Sequence, residues 1–539
     1  MARRPTQTIR LKRLLAAGML PEELPPPFVS NSLGRYRESL AQTWNAAPLF
    51  GTFRSRSEPF SIPRTGASRR RAVIVNPVNH FRLSSLVANN WQEIRDHIAT
   101  SNVTEFRPIF DIEGSRSIFG IDFDKVDRRR AEILSSYNRA YQTDVTRFYA
   151  SIYTHSIAWA LYSKEWVKAN RFGALRGTLG DLLDFEVRKS QEDQTIGVPI
   201  GPDTSRILSE IIAVGMEREL ERRLGTVADR AVRYVDDMII GFDDFESEER
   251  VAAALEGAMS HYELDLNLSK TEILGVESVE PVDWISELRA AGRIRSGDTQ
   301  RHELERYFRL ALHFASAANK KDAVLKWALK RSRSFSISES NFDYYCDWVV
   351  RCARKAKACL PVAAQILIEA RANGRPIPTA RVSKFIHDVL RVHAPVGHAF
   401  EVSWALFIAK GLRIEISEEG IAPVLTMESS ACALLAMDLS RRGLIPAGFS
   451  DVHWLGYGTA EGLASAMWLL AYEAAKKNWW SDGRRTYATD HPLFGPMIAR
   501  GVFFYDERRN VVRARADAQR ARLQSIRTHL IMSRWADYF

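Results

Sequence analysis

The sequence predicts an α+β protein in two parts. Residues 1–285 form a mixed region in which short antiparallel strands and helices alternate; residues 286–539 form an all-α, repeat-like region. Three observations carry this reading. Short β-branched and aromatic runs bounded by turn residues recur up to residue 285 and then fade. Beyond that point, windows of helical periodicity follow one another at intervals of roughly 20 residues. A chain of 539 residues, 46% hydrophobic and 26% charged, can bury more than one core and has no tract of disordered composition.

The elements follow in order. Residues 20–28, LPEELPPPF, are expected to run extended over the surface before a helix that begins near Ser39. In FRSRSEPFSIPRTGASRRRAVIVNP the polar TGAS separates Ser61, Ile62 and Pro63 from Ala72, Val73, Ile74 and Val75, which predicts two strands and a loop. Arg54, Arg56, Arg64, Arg69, Arg70 and Arg71 crowd this segment against the single acid Glu58. Such a cluster repels itself unless an anion sits beside it. Helical patterns dominate residues 85–140, with IFDIEGSRSIFG as a loop, and YQTDVTRFYASI is strand-like before a helix over 154–170. Residues 195–224 read as a Gly/Pro turn and a long amphipathic helix whose apolar side carries Ile207, Ile211, Val214 and Met216. Residues 232–234 and 238–241 read as strands flanking Asp236 and Asp237, a hairpin with acids at its tip.

In the helical region, TAEGLASAMWLLAYEAAKKNWW puts Leu463, Met467 and Leu470 on one face with Thr459 as N-cap. LPVAAQILIEARANG has Pro361 in a first helical turn and Gly374 at a helix end. No fixed repeat length emerges, so a stacked array is favoured over a compact bundle on texture alone. Cys346, Cys352, Cys359 and Cys432 lie outside any C-x-x-C arrangement and read as reduced, buried thiols. The formal charge of +10 and pI of about 9.4 favour a polyanionic partner. The basic N-terminus lacks the apolar core of a signal peptide, and no stretch reaches the roughly 18 apolar residues that cross a bilayer. A cytoplasmic protein without membrane contact is expected.

Adjacent acids between buried strands lose hydration and need a counter-charge. A divalent metal supplies one, and Mg²⁺ prefers a few carboxylates together with substrate phosphates. Asp144 stands at the end of a second predicted strand, so with Asp236 it offers two carboxylates from two strands, as two-metal phosphoryl transfer requires.

Four stretches together resemble the reverse-transcriptase family. Tyr234, Val235, Asp236 and Asp237 match its Y-x-D-D signature, and DVTRFY, from Asp144 to Tyr149, matches D-x-x-x-x-[FY]. GVPIGPDTS, from Gly197 to Ser205, resembles G-x-P-x-G-x-x-x-S, and LNLSKTEI places Lys270 in the stretch after the catalytic hairpin. The resemblance implies fingers and a palm over 1–285, with the helical region of 286–539 replacing the usual small thumb. It implies that Asp144, Asp236 and the Val145 carbonyl hold two ions, Mg²⁺ or Mn²⁺, that Asp237 adds negative potential, and that Tyr234 supports the primer end. It also implies that Tyr149 excludes a ribose 2′-hydroxyl, that Phe148, Gly201 and Ser205 line the nucleotide site, and that Arg64 and Arg71 face the triphosphate of a dNTP, with Arg69 or Arg70 as substitutes. Lys270 would neutralise or protonate the departing pyrophosphate.

Ile200 stands where retron and group II intron enzymes usually carry Gln, and Arg206 replaces the proline that often follows Ser205. These departures argue against ordinary templated copying. TDVTRFYASIYTHSIAWAL, GVPIGPDTSRILSEI and LPPPF resemble bacterial abortive-infection reverse transcriptases of the AbiK type. That resemblance implies a bacterial antiphage-defence enzyme, a homo-oligomer, trimeric or hexameric, and DNA primed from its own side chain without a conventional template. Two other readings stay open: templated cDNA synthesis on a bound non-coding RNA, and a nucleic-acid-binding scaffold with an idle palm. Some relatives carry a HEPN-type RNase, whose Arg and His are separated by four to six intervening residues. Arg381 and His387, Arg485 and His491, and Arg522 and His529 all fit that spacing, which shows how readily it arises, and a helical scaffold is the favoured reading.

Overall fold

The computed structural model describes residues 5–64, 66, 68–121, 123–243, 248–275, 284–295, 297–317, 321–446, 449–512, 514–516 and 519. Period-two burial makes the first hairpin. Phe60 and Ile62 on β1 (Glu58–Pro63) and Ala72 and Ile74 on β2 (Arg69–Ile74) face the core. The strands pair antiparallel from Glu58 opposite Ile74 to Pro63 opposite Arg69. The same pattern corrects the expected loop at 109–120. Phe106 and Phe110 of β3 (Phe106–Phe110) and Ile118 of β4 (Ile118–Ile121) are buried, and the strands form a second hairpin around a short connection. Alternating apolar residues outweighed the Gly and Ser content between them.

The strands β5 (Arg139–Thr143), β6 (Ala231–Tyr234), β7 (Asp237–Phe242) and β8 (Glu272–Gly275) form an antiparallel sheet in the order β6-β7-β5-β8. On one face, Met238, Ile240 and Phe242 join a core that holds Ile207 and Ile211 of the helix Asp203–Leu224 and Leu255 of the helix Glu248–His261. On the other, Ala140 and Val232 pack with Ile133 of the helix Phe123–Ser136. The helix Asp203–Leu224 is not amphipathic as expected. It is buried around most of its circumference because the helices Trp91–Ile98, Ser156–Tyr162 and Glu248–His261 also pack on it. The expected helix over 154–170 is two helices, Ser156–Tyr162 and Lys164–Ala169. Ser163 breaks it at φ 76° and its side chain caps Trp166 N at 3.3 Å.

From Trp284 to Ala499 the described chain is helical. The helix Thr379–His393 packs on Ala399–Leu412, which packs on Ser430–Arg441, which packs on Trp468–Lys477. Pro361 lies in the first turn of Leu360–Ala372 and Gly374 follows its end at φ 71°, as the sequence predicts. Thr459 accepts from Gly462 N at 3.0 Å, but the helix starts only at Trp468, so the cap closes a turn instead. All four cysteines are free and buried.

Residues 20–28 do not run over the surface. Leu20, Leu24 and Phe28 are buried because a distant segment covers them: Val29 N donates to Phe504 O (2.9 Å) and Asp506 N to Pro27 O (2.8 Å). One hydrophobic core accordingly contains Leu15, Trp44, Phe60 and Ile74 together with Phe308, Trp404, Trp468 and Tyr505. Among the described residues no helix is long and apolar enough to cross a membrane.

Candidate active site

The hairpin of β6 and β7 turns through Val235 and Asp236, with Tyr234 opposite Asp237. Val235 adopts φ 56°, a strained region for a β-branched residue. On the neighbouring strand Thr143 pairs with Met238, so Asp144 leaves β5 beside this turn. The chain past Asp144 is held by the segment that precedes Lys270. Val145 bridges Leu266, Thr146 N donates to Asp265 O (2.8 Å) and Asn267 N to Asp144 O (2.9 Å). This stitching brings the half-exposed Lys270 ammonium onto Asp144 Oδ2.

The Asp144 side chain is only 4% exposed, and its Oδ1 is buried without a hydrogen-bond partner. An orphaned, desolvated carboxylate oxygen is costly unless a ligand completes it. Burial raises the Asp236 carboxyl above its ordinary range and its own backbone N–H opposes this. The Asp144 charge adds to the rise, and Lys270 and Arg64 oppose it. Asp144, Asp236, Lys270 and Arg64 therefore share one electrostatic site. Magnesium takes hard oxygen donors, so this donor set fits a divalent cation, with Lys270 the counter-charge within the protein itself.

Tyr149 and Tyr234 border the acids. Burial raises the Tyr149 hydroxyl, Ser209 and the Arg206 guanidinium oppose the rise, and Asp236 and Glu210 add to it. Tyr234, half-buried, is raised by burial and by Asp237 and Asp236 and lowered by Arg206, and its ring packs 5.3 Å from that of Phe123. Phe148 lies in the core beneath Tyr149, with ring centroids 5.6 Å apart. Gly201 sits at φ 133°, where a Cβ would lie 2.9 Å from Pro21 and 3.1 Å from Val73 O; Val73 N donates to Ile200 O at 2.8 Å. Glycine is needed there because strand β2 crosses this backbone. Ser205 is buried in the first turn of Asp203–Leu224. Arg71 is exposed on β2, but Arg69 is diverted: its guanidinium forms a two-pronged pair with the buried Glu401, at 2.8 and 2.7 Å.

Other candidate groups are engaged structurally. His393, His398 and Glu401 bring ligating atoms within 4.8 Å of one another, but the two His Nδ1 atoms hydrogen-bond at 2.9 Å and Glu401 holds Arg69. Arg381 pairs with Asp347 and Asp343, while His387 binds Ser383 O and Ser417 N. His491 accepts from Leu493 N. Arg522 and His529 lie outside the described residues.

Residues 62–286 match the family model of the reverse transcriptase (RNA-dependent DNA polymerase). A reverse-transcriptase domain occupies this part of the chain. No curated protein matches the sequence. Among solved structures, apo telomerase from Candida tropicalis is similar at 11% identity and TM-score 0.31, over 63% of this chain and 70% of that one. Telomerase from Candida albicans in complex with the TWJ fragment of telomeric RNA is similar at 12% identity and TM-score 0.28, over 62% and 65%. The corresponding Candida tropicalis complex is similar at 12% identity and TM-score 0.29, over 75% and 68%.

The reverse-transcriptase domain also contains charged residues that sequence reasoning passed over. Glu210 and Glu217 are buried on the helix Asp203–Leu224, and Arg233 is buried on β6. Their signal was a lone Arg inside an apolar strand and two acids seven apart, two helical turns, amid buried aliphatics.

Proposed function

We propose that this protein is an antiphage-defence DNA polymerase of the reverse-transcriptase type that joins deoxynucleotides to a hydroxyl of its own chain without a conventional template. The observation that carries the catalytic part is the buried Asp144 carboxylate, with one oxygen on Lys270 and the other unpartnered, beside the Asp236 turn. The defence role and self-priming rest on the sequence resemblance, with Ile200 and Arg206 standing where templated enzymes differ.

On this reading Asp144, Asp236 and the Val145 carbonyl hold two magnesium or manganese ions. Such ions stabilise the attacking and leaving oxygens of an in-line displacement. Asp237 keeps the turn negative, and Tyr234 steadies the primer end. Arg64 and Arg71 grip the triphosphate, where guanidinium donors suit phosphate oxygens. Phe148 backs the Tyr149 ring, which closes the space of a ribose 2′-hydroxyl, and Gly201 and Ser205 shape the adjoining wall. Lys270 turns from Asp144 toward the pyrophosphate as it gains charge. Residues 286–539 serve as a helical platform in place of a thumb, and the enzyme works as a bacterial cytoplasmic homo-oligomer.

The test is to incubate purified full-length protein with Mg²⁺ and labelled dNTPs, resolve it under denaturing conditions and sequence the product. Label should remain on the protein, be released by nuclease, and be absent from Asp236→Asn. Free product that follows a co-purified RNA would replace this reading with templated cDNA synthesis. Defence retained by Asp236→Asn, with no synthesis by either protein, would leave only a scaffold.

A further inference from the structure

Strand β6 sends alternate residues to opposite layers. Val232 faces the helix Phe123–Ser136, whereas Ala231 and Arg233 face the helix Asp203–Leu224. Position 233 thus belongs to an apolar layer, yet it carries a guanidinium whose side chain is 1% exposed. Each of its three nitrogens donates to a buried acid. Nη2 donates to Glu210 Oε1 at 2.6 Å, Nη1 to Glu210 Oε2 at 3.2 Å, and Nε to Glu217 Oε1. Glu217 is held in turn by the Ser101 hydroxyl. The main chain is fixed as well, by Arg233 N to Val103 O (3.1 Å) and Glu105 N to Arg233 O (3.2 Å).

One further contact gives this network a purpose. Arg233 Nη1 also donates to the carbonyl of Val235 at 2.8 Å. Val235 is the residue at φ 56°, and Asp236 follows it. A β-branched residue holds that conformation only when its surroundings fix it. Ser209, next to Glu210 on the same helix, lies beside the Tyr149 hydroxyl, so one rigid element braces both the acid turn and the sugar-facing ring.

We infer that Arg233 is a positioning residue for metal binding: clamped by Glu210 and Glu217, it grips the Val235 carbonyl and so fixes the direction of the Asp236 carboxylate. A planar fork is needed, because three partners lie in different directions around one group, and a lysine ammonium cannot span them. The inference rests on the polymerase reading for its catalytic consequence but not for its geometry.

The test uses the full-length chain and two readouts, Mn²⁺ binding followed by electron paramagnetic resonance and dNTP incorporation kinetics. In Arg233→Lys, Mn²⁺ affinity should fall about tenfold, and kcat should fall at least as far while the dNTP KM moves less than about twofold. The triple variant Arg233→Met, Glu210→Met, Glu217→Leu removes the charges together and so keeps a packed layer even where Arg233→Lys fails to fold. It should show the same two losses. Adding Val235→Gly, which adopts positive φ without strain, should restore a measurable part of both. Wild-type Mn²⁺ affinity and kcat in the folded triple variant would overturn the inference. The binding arm reads the positioning role even if the wild-type protein incorporates no nucleotide, an outcome that would count against the polymerase reading alone.

Discussion

At the residue scale, Tyr149 makes the most specific demand. Its ring borders Asp236 and is braced by Phe148 below and Ser209 beside its hydroxyl. On the proposed reading, a small side chain there would open the space next to the nucleotide sugar without touching the acids. Tyr149→Ala should therefore keep Mg²⁺-dependent DNA synthesis but lose about 10–100-fold in discrimination between dNTPs and rNTPs, the scale set by steric exclusion of a small group. Comparing kcat/KM for the two nucleotide classes checks this, and unchanged discrimination would remove Tyr149 from the sugar site. Arg206 lies in the same field, 3.6 Å from Asp203 and 5.2 Å over the Phe106 ring, so the departure noticed in sequence stands against both tyrosines.

At the element scale, the β1–β2 hairpin is fastened to the helical region. Trp468 Nε1 donates to Ile74 O (3.2 Å), Arg56 N to Ala464 O (2.8 Å), and the buried Glu58 accepts from Ser430 N (2.7 Å) at the start of the helix Ser430–Arg441. Burial pushes the Glu58 carboxyl up from 4.5 to about 8, with hydrogen bonds from Ser430 and Ser429 opposing it. The folded protein therefore keeps a proton that the unfolded chain has lost between those values. Stability from this group is complete below about pH 4.5 and declines as the pH rises to about 8. Glu58→Gln keeps an acceptor for Ser430 without the titration. Thermal melts from pH 5 to 8 should fall less steeply for Glu58→Gln than for the wild type, and parallel curves would refute the assignment. Glu473, raised by burial to about 7, leaves a residual slope in both.

At the scale of the whole molecule, the core does not respect the change of texture at residue 285. Leu15, Trp44, Phe60 and Ile74 share one cluster with Phe308, Trp404, Trp468 and Tyr505. A fragment of residues 1–285 would expose Leu15, Trp44, Phe60 and Ile74, each contributing roughly 1.5–3 kcal/mol by burial. Expressed alone, it should fail to melt cooperatively by circular dichroism, unlike the full chain. A soluble, sharply melting fragment would show that the region around Asp144 and Asp236 folds without its helical platform.

The elements that could be read from sequence are those set by near neighbours. The acid hairpin, the β1–β2 hairpin and the helix Leu360–Ala372 follow from alternation, turn residues and end signals within a dozen positions. The order of Asp144, Tyr149, Asp236 and Lys270 likewise predicted one shared site, and the fold brings these residues together. Partners hundreds of residues away leave no such local trace. Whether residues 20–28 lay on the surface depended on the chain at 504–506, and whether Arg69 was free depended on Glu401. Glu210 and Glu217 gain meaning only once β6 delivers Arg233 between them. Local pattern thus determined which segments become strands and helices and which acids they carry. Tertiary packing alone decided which charges meet, because burial makes an unpaired charge untenable and so selects its partner from the whole molecule.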